Sequence, residues 1–243
     1  MKMRRFSELD LARFVALTPD AALLEEALRR YDVDGGSWPY EPVRASTPDI
    51  LRATTALYGP VAPVPWTHIE AVIRGACKHG EPQISSCVEV GQVLFDEAQR
   101  LGWKAVQYPM GRMPIGSSES VRYWLDLVIA DGDCTFIPFI DNRRSRGVTN
   151  LAIQRVIFSM QHIWVRERNP DLATSRLAII RFSRTSPRKM SISFNGALDL
   201  LSFEELDARV RLVYEAWERV LRTKPAKVRR TGTDDTPDFF EGE

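Results

Sequence analysis

The sequence predicts an α/β (α+β) fold in which a mixed sheet is flanked by helices. Two apolar runs within residues 121–143 flank Asp131-Gly132-Asp133, and this arrangement is a strong short-range signal for a β-hairpin. Residues 86–101 and 149–169 repeat their apolar positions with helical spacing, so each is expected to form an amphipathic helix. Because the apolar side of a helix must be buried, these two helices are expected to cover the sheet.

The first eighty residues are predicted to form an α-helical N-terminal appendage. Proline- and glycine-rich stretches divide it into four helices. Ser7 can cap the first helix, and Thr18-Pro19 and Thr47-Pro48 each place proline at the start of another. Thr67 and Glu70 match a capping box. The predicted helices cover residues 7–17, 18–31, 47–58 and 67–78.

Residues 81–222 are predicted to form the α/β core with a C-terminal helix. Ser86 and Glu89 match a capping box at the start of the first core helix, and Ser202 and Glu205 match another at the start of the last helix. Strands are predicted at 103–108, in the hairpin, at 176–182 and at 190–194, with a loop at 110–118. Residues 223–243 carry a basic half and an acidic end, so they are predicted to be a disordered charged tail.

The bulk composition restricts the classes of function. The chain has 243 residues and a net charge of +1, so nucleic-acid binding would require a local basic patch. Its three cysteines show no CxxC motif, which is typical of a reduced compartment. The N-terminus has no apolar signal-peptide core, and no apolar run is long enough to cross a membrane. We therefore expect a cytoplasmic protein without a membrane partner.

Each apolar run of the hairpin carries an acid. Asp126 lies within the first run, on the strand face that it shares with Trp124 and Val128, and Asp141 ends the second run, with Arg143 two positions later. If the hairpin pairs with both acids on the same side, the two carboxylates and the guanidinium converge. An unpaired carboxylate in an apolar strand is costly to bury, so these acids need a divalent metal or an arginine as partner. Alternatively, Asp126 lies at a strand edge and Asp141 begins a loop in which it pairs with Arg143 or Arg144.

The order of elements from residue 86 to 182 resembles the core of the PD-(D/E)XK, or restriction-endonuclease-like, nuclease superfamily. The positions that match its motif are Glu89, Asp126, Asp141 and Arg143. The resemblance implies that Asp126 and Asp141, with Glu89 or a backbone carbonyl, hold Mg²⁺ or Mn²⁺, and that Arg143 stabilises phosphate charge during phosphodiester hydrolysis. Arg143 replaces the family's lysine, and Pro138 lies inside a strand that the family places centrally. Glu89 also has a purely structural explanation as a capping residue.

Three functional hypotheses remain open on the sequence. The first is a metal-dependent nuclease acting on DNA. The second is a catalytically inactive nuclease-fold subunit of a defence or mobile-element complex, which binds nucleic acid or binds protein partners through its N-terminal helices or C-terminal tail. The third is a zinc-bound structural protein, whose ligands would be His68, Cys77, His79 and Cys87.

A basic patch is predicted from two loops that follow strands. If the strand ends lie side by side, the patch binds nucleic-acid phosphates; alternatively, its arginines pair with neighbouring acids such as Asp141, Glu167 and Asp171. The residues of the patch are Arg143, Arg144, Arg146, Arg181, Arg184, Arg188 and Lys189.

Overall fold

The computed structural model describes residues 6–31, 40–54, 62–116, 120–122, 126–144 and 147–223. It confirms the predicted mixed α/β class. The helices are α1 (Glu8–Val15), α2 (Ala21–Arg29), α3 (Glu41–Ile50), α4 (Trp66–Ala76), α5 (Glu81–Arg100), α6 (Leu151–Gln161) and α7 (Phe203–Thr223). The strands are β1 (Lys104–Gln107), β2 (Arg112–Pro114), β3 (Ser120–Arg122), β4 (Leu127–Asp131), β5 (Cys134–Asp141), β6 (Arg176–Phe182) and β7 (Met190–Phe194). None of the helices within these described ranges is both long enough and apolar enough to cross a bilayer.

A five-stranded mixed sheet in the order β1-β4-β5-β6-β7 forms the centre of the fold. The predicted hairpin is confirmed: β4 and β5 are antiparallel, and Asp131 pairs with Cys134 across a turn in which Gly132 has a φ of 58°. Strand β6 runs parallel to β5 and is reached through α6. Strands β2 and β3 form a separate antiparallel ribbon, so part of the segment predicted as a loop at 110–118 is extended.

Pro138 is accommodated because the two edges of β5 are paired over different lengths. Pairing with β4 ends at Phe136, before the proline, whereas pairing with β6 continues to Asp141. Proline has no N–H to donate to a ladder. The strand can therefore occupy the middle of the sheet while its carboxyl end is paired on one side alone.

The two faces of the sheet bury separate hydrophobic cores. On one face Ile137 and Phe139 belong to a core that includes Trp217 of α7 and side chains of α1, α2 and α6. On the other face Phe136 and Ile140 belong to a core formed with α3, α4 and α5. The N-terminal helices are thus packed on both faces. The domain division at residues 80 and 222 stays a prediction.

Several predicted helix ends are confirmed and others are wrong. Ser7 caps α1, and Ser202 and Glu205 form the reciprocal capping box of α7, with N···O distances of 2.9 and 3.2 Å. In contrast, α4 begins after Pro65 without a side-chain cap. Helix α3 covers residues 41–50 rather than starting at 47, and the predicted 55–58 lie outside the described residues, as does the tail beyond 223.

Helix α5 begins five residues earlier than predicted. It starts at Glu81, after Gly80, and proline occupies its first turn, where the missing N–H costs no intrahelical bond. Ser86 is therefore buried inside the helix. The predicted capping box between Ser86 and Glu89 is wrong, and Glu89 is available for other contacts.

Candidate functional site

Asp126 lies immediately before β4 and is half-buried. Its Oδ1 accepts a hydrogen bond from the backbone N–H of Met110 at 2.9 Å, and its backbone carbonyl accepts one from the N–H of Tyr108, also at 2.9 Å. These bonds attach the segment after β1 to the start of β4. In this structure the carboxylate of Asp126 therefore acts as an acceptor for a neighbouring loop.

Asp141 ends β5 and is only 4% exposed. Its two carboxylate oxygens accept the N–H groups of Arg143 at 3.1 Å and Val148 at 2.6 Å, so they fold the following loop back over the strand end. Gly147 lies directly against this carboxylate, where a side chain would collide with it. Burial raises the pKa of Asp141, whereas these two donors and the nearby arginines lower it. The effect of burial is the larger one, so the pKa lies above its ordinary value.

Arg143 pairs with Asp10, a partner that the sequence did not suggest. Nη1 lies 2.7 Å from Oδ1 of Asp10 and Nη2 lies 3.2 Å from Oδ2, while Nη2 also donates to the hydroxyl of Ser7 at 3.1 Å. Burial alone would raise the pKa of Asp10, but the hydrogen bonds and charge of Arg143, together with the hydrogen bond of Ser7 and the charge of Arg13, outweigh it and lower that pKa. Arg143 therefore joins the loop after β5 to the first helix.

Glu89 connects two loops that are far apart in sequence. Its carboxylate accepts from the Nη2 of Arg144 at 2.8 Å, from the N–H of Arg188 at 3.1 Å and from the hydroxyl of Ser186. Burial raises the pKa of Glu89, but these three hydrogen bonds and the charge of Arg144 lower it overall. Glu89 thus holds the loop after β5 against the loop between β6 and β7.

The three acids predicted as metal ligands are not brought together. Within the described ranges, no group of three or more His, Cys, Asp or Glu side chains is arranged to hold a metal ion. Neither the three acids Glu89, Asp126 and Asp141 nor the cysteines and histidines of the zinc hypothesis form such a group. Binding of Mg²⁺ or Mn²⁺ stays a prediction.

The basic side chains, in contrast, do converge. A cleft of about 410 Å³ lies at the carboxyl ends of the parallel strands β5 and β6. Arg188 is buried nearby, where it donates to backbone carbonyl oxygens, and Arg146 lies outside the described residues. The lining residues are Asp141, Arg143, Arg144, Gly147, Val148, Thr149, Arg181, Phe182, Ser183, Arg184, Lys189, Met190 and Ser191.

Comparison with known proteins places the chain in a different family from the one its motif resembles. A family model described as "Sliding clamp-binding bacterial toxin SocB" matches residues 9–227. A curated protein of Caulobacter vibrioides (strain NA1000 / CB15N), named DNA replication inhibitor toxin SocB, is 29% identical over 235 residues, which cover 96% of this chain and 97% of that protein. No solved structure matches.

The resemblance to the PD-(D/E)XK superfamily is therefore wrong. The nuclease function predicted from it is wrong as well, and so is the alternative of an inactive nuclease-fold subunit in a defence complex. The resemblance depended on four side chains and an order of elements, and the structure uses Glu89, Asp141 and Arg143 to join loops and helices. Because the family model covers residues 9–227 of 243, the chain belongs to the SocB family of bacterial toxins.

Proposed function

We propose that this chain is a toxin that inhibits DNA replication by binding the sliding clamp. The observation that carries the proposal is the end-to-end match to the Caulobacter toxin, which covers 96% of this chain and 97% of that protein. A match of this extent supports a shared mode of action for the whole chain, since neither protein has a large region without a counterpart in the other.

The contacts of the acidic residues also support a binding function. Blocking a replication factor requires occupation of its surface, and this needs no reacting group on the toxin. Asp10, Glu89 and Asp141 direct their carboxylates to donors within the protein. These three carboxylates are used in contacts that stabilise the fold. We therefore attribute the proposed activity to the surface of the protein, whose shape these contacts maintain.

A clamp-dependent primer-extension assay tests the proposal. The purified chain is expected to co-elute with the sliding clamp of its own organism and to inhibit extension on a long primed template. The matched control is extension of a short template that the polymerase copies without the clamp. Equal inhibition of both reactions, or no co-elution with the clamp, would refute clamp binding as the mechanism.

The clamp-binding surface is expected within the region that the family shares. The family model ends at residue 227, and α7 ends at Thr223. A chain truncated after residue 227 should therefore bind the clamp within about twofold of the full chain. Loss of binding on truncation would instead support the sequence-based prediction that the tail carries a protein partner.

A further inference from the structure

We propose that the cleft at the carboxyl ends of β5 and β6 binds a phosphate ester of nucleotide size. This inference goes beyond the proposed function and does not depend on it, because it concerns a small-ligand site and not the surface that contacts a partner protein. It is carried by three features of the cleft: unneutralised positive charge, polar atoms held in place, and a volume suited to a small ligand.

The first feature is the charge of three lining residues. Arg143 is neutralised by Asp10 and Arg144 by Glu89. In the part of the chain that the structure describes, Arg181, Arg184 and Lys189 form no ion pair with a carboxylate. Phosphate groups are bound in proteins by arginine forks and lysine ammonium groups of this kind.

The second feature is that Arg181 is held in place by neutral acceptors. Its Nη1 donates to the carbonyl oxygen of Val148 at 3.2 Å, and its Nη2 donates to the hydroxyl of Ser193 at 3.1 Å. Its Nε is buried without a hydrogen-bond partner. The two neutral contacts fix the guanidinium without cancelling its charge, which acts on the nearby carboxylate of Asp141 and on any anion that enters the cleft.

Arg188 adds positive charge behind the cleft. It is 3% exposed, and its guanidinium donates to the carbonyl oxygens of Ser183 at 2.9 Å and Asn142 at 3.1 Å. These bonds hold together the two loops that form the walls. The carbonyl oxygens are neutral acceptors, so they hold the guanidinium in place without an opposing charge.

The opposing charge in the cleft is Asp141. Both of its carboxylate oxygens already accept backbone N–H groups from Arg143 and Val148. Five cationic side chains line the cleft. Three carboxylates oppose their charge, namely Asp141 and the two that pair with Arg143 and Arg144. Positive charge therefore remains in excess where a ligand would lie.

The third feature is the size and lining of the cleft. Its volume of about 410 Å³ lies within the range of roughly 300–1,000 Å³ that is typical of small-ligand sites. Val148, Phe182 and Met190 supply apolar surface, and Thr149 and Ser191 supply hydroxyl groups. This combination fits a ligand with an anionic phosphate and a less polar remainder, as a nucleotide has.

Calorimetric titration of the full chain at low salt tests the proposal. The probes are deoxyadenosine monophosphate, deoxyadenosine and a ten-nucleotide strand of deoxythymidine. The binding variant is Arg184→Ala with Lys189→Ala, since both side chains are exposed and neither forms an ion pair within the described residues. The matched control is Lys104→Ala with Arg112→Ala, which removes two exposed cations from β1 and β2, and circular dichroism checks the fold of each.

We expect saturable binding of the monophosphate, little binding of the nucleoside, and at least tenfold weaker binding by the Arg184/Lys189 variant, with the control variant within twofold. If the monophosphate fails but the strand binds with the same dependence on the variant, the phosphate source is the nucleic-acid backbone, and the proposal of a nucleotide-sized ligand is overturned. No saturable binding of either phosphate probe would overturn the proposal. Binding that the Arg184/Lys189 variant leaves unchanged would overturn it as well.

Discussion

Replacing Asp10 with asparagine removes the charge that neutralises Arg143 while keeping nearly the same shape. The guanidinium lies 2.7 and 3.2 Å from the two carboxylate oxygens, and the side chains of Arg143 and Asp10 are 25% and 10% exposed. The pair joins α1 to the loop after β5, across 133 positions of sequence. Its loss should therefore lower the stability of the whole fold and not only that of one helix.

The expected magnitude follows from the burial of the pair. Removing one partner of a buried ion pair costs about 3–5 kcal/mol, because the other charge is left uncompensated. Arg143 is partly exposed to solvent, which screens its charge, so we expect a loss of about 3 kcal/mol for Asp10→Asn. Arg143→Met should cost less, about 2 kcal/mol, because Asp10 keeps a second ion pair with Arg13 at 3.2 Å. The double variant should lose about 3 kcal/mol, because it leaves no buried charge without a partner, and the coupling is then about 2 kcal/mol.

Urea unfolding at pH 7 measures these losses without the added salt that would screen the pair. The matched control is Glu218→Gln, which breaks a pair with Arg222 at 2.7 Å in which the side chains are 58% and 75% exposed. That variant should lose no more than about 0.5 kcal/mol, as is usual for exposed pairs on one helix. A coupling below about 0.5 kcal/mol between Asp10 and Arg143 would refute the stabilising role of the pair.

The pH dependence gives a second test of the same pair. The pKa of Asp10 is lower in the folded protein than its ordinary value of 3.8, so the unfolded chain takes up the proton first as pH falls. The stabilisation by Asp10 is then complete above about pH 4 to 5 and is lost as pH falls through the folded-state pKa. The difference in stability between the native chain and Asp10→Asn should shrink in that range, and a difference that stays constant down to pH 3 would contradict the lowered pKa.

Three further predictions concern other contacts of the fold. Gly147→Ala should cost about 1–3 kcal/mol in urea unfolding, because its added carbon meets the carboxylate of Asp141; an unchanged midpoint would show that the loop adapts freely. Glu89→Gln should cost about 1–2 kcal/mol, since the loops lose a charged acceptor, and limited proteolysis should then cut those loops faster than in the native chain. Burial and a neighbouring thiol raise the pKa of Cys87 to about 12, so thiol labelling at pH 8 should modify the exposed Cys134 first, and equally fast labelling of both would contradict the structure.

Elements with local signals could be predicted from the sequence alone. The turn at Gly132 with apolar runs on both sides identified the hairpin, because only a few residue types adopt its backbone conformation. The bounds predicted for β6 and β7 agree with the structure, and the Ser202–Glu205 box marks the start of α7. Each of these signals is carried by residues within a few positions of one another, so no knowledge of the packing is needed to interpret it.

Which charged groups meet depends on how the helices and the sheet pack. An acid beside an apolar strand signals that a partner is required, but it does not identify the partner. Asp10 lies 133 positions from Arg143, and Glu89 lies 97 positions from Ser186. Many pairings of acids and arginines satisfy the same local pattern. Packing of the helices on both faces of the sheet selects the observed pairs, Arg143 with Asp10 and Arg144 with Glu89. For that reason the sequence located the basic loops around the cleft, while the structure showed which of their charges remain unneutralised.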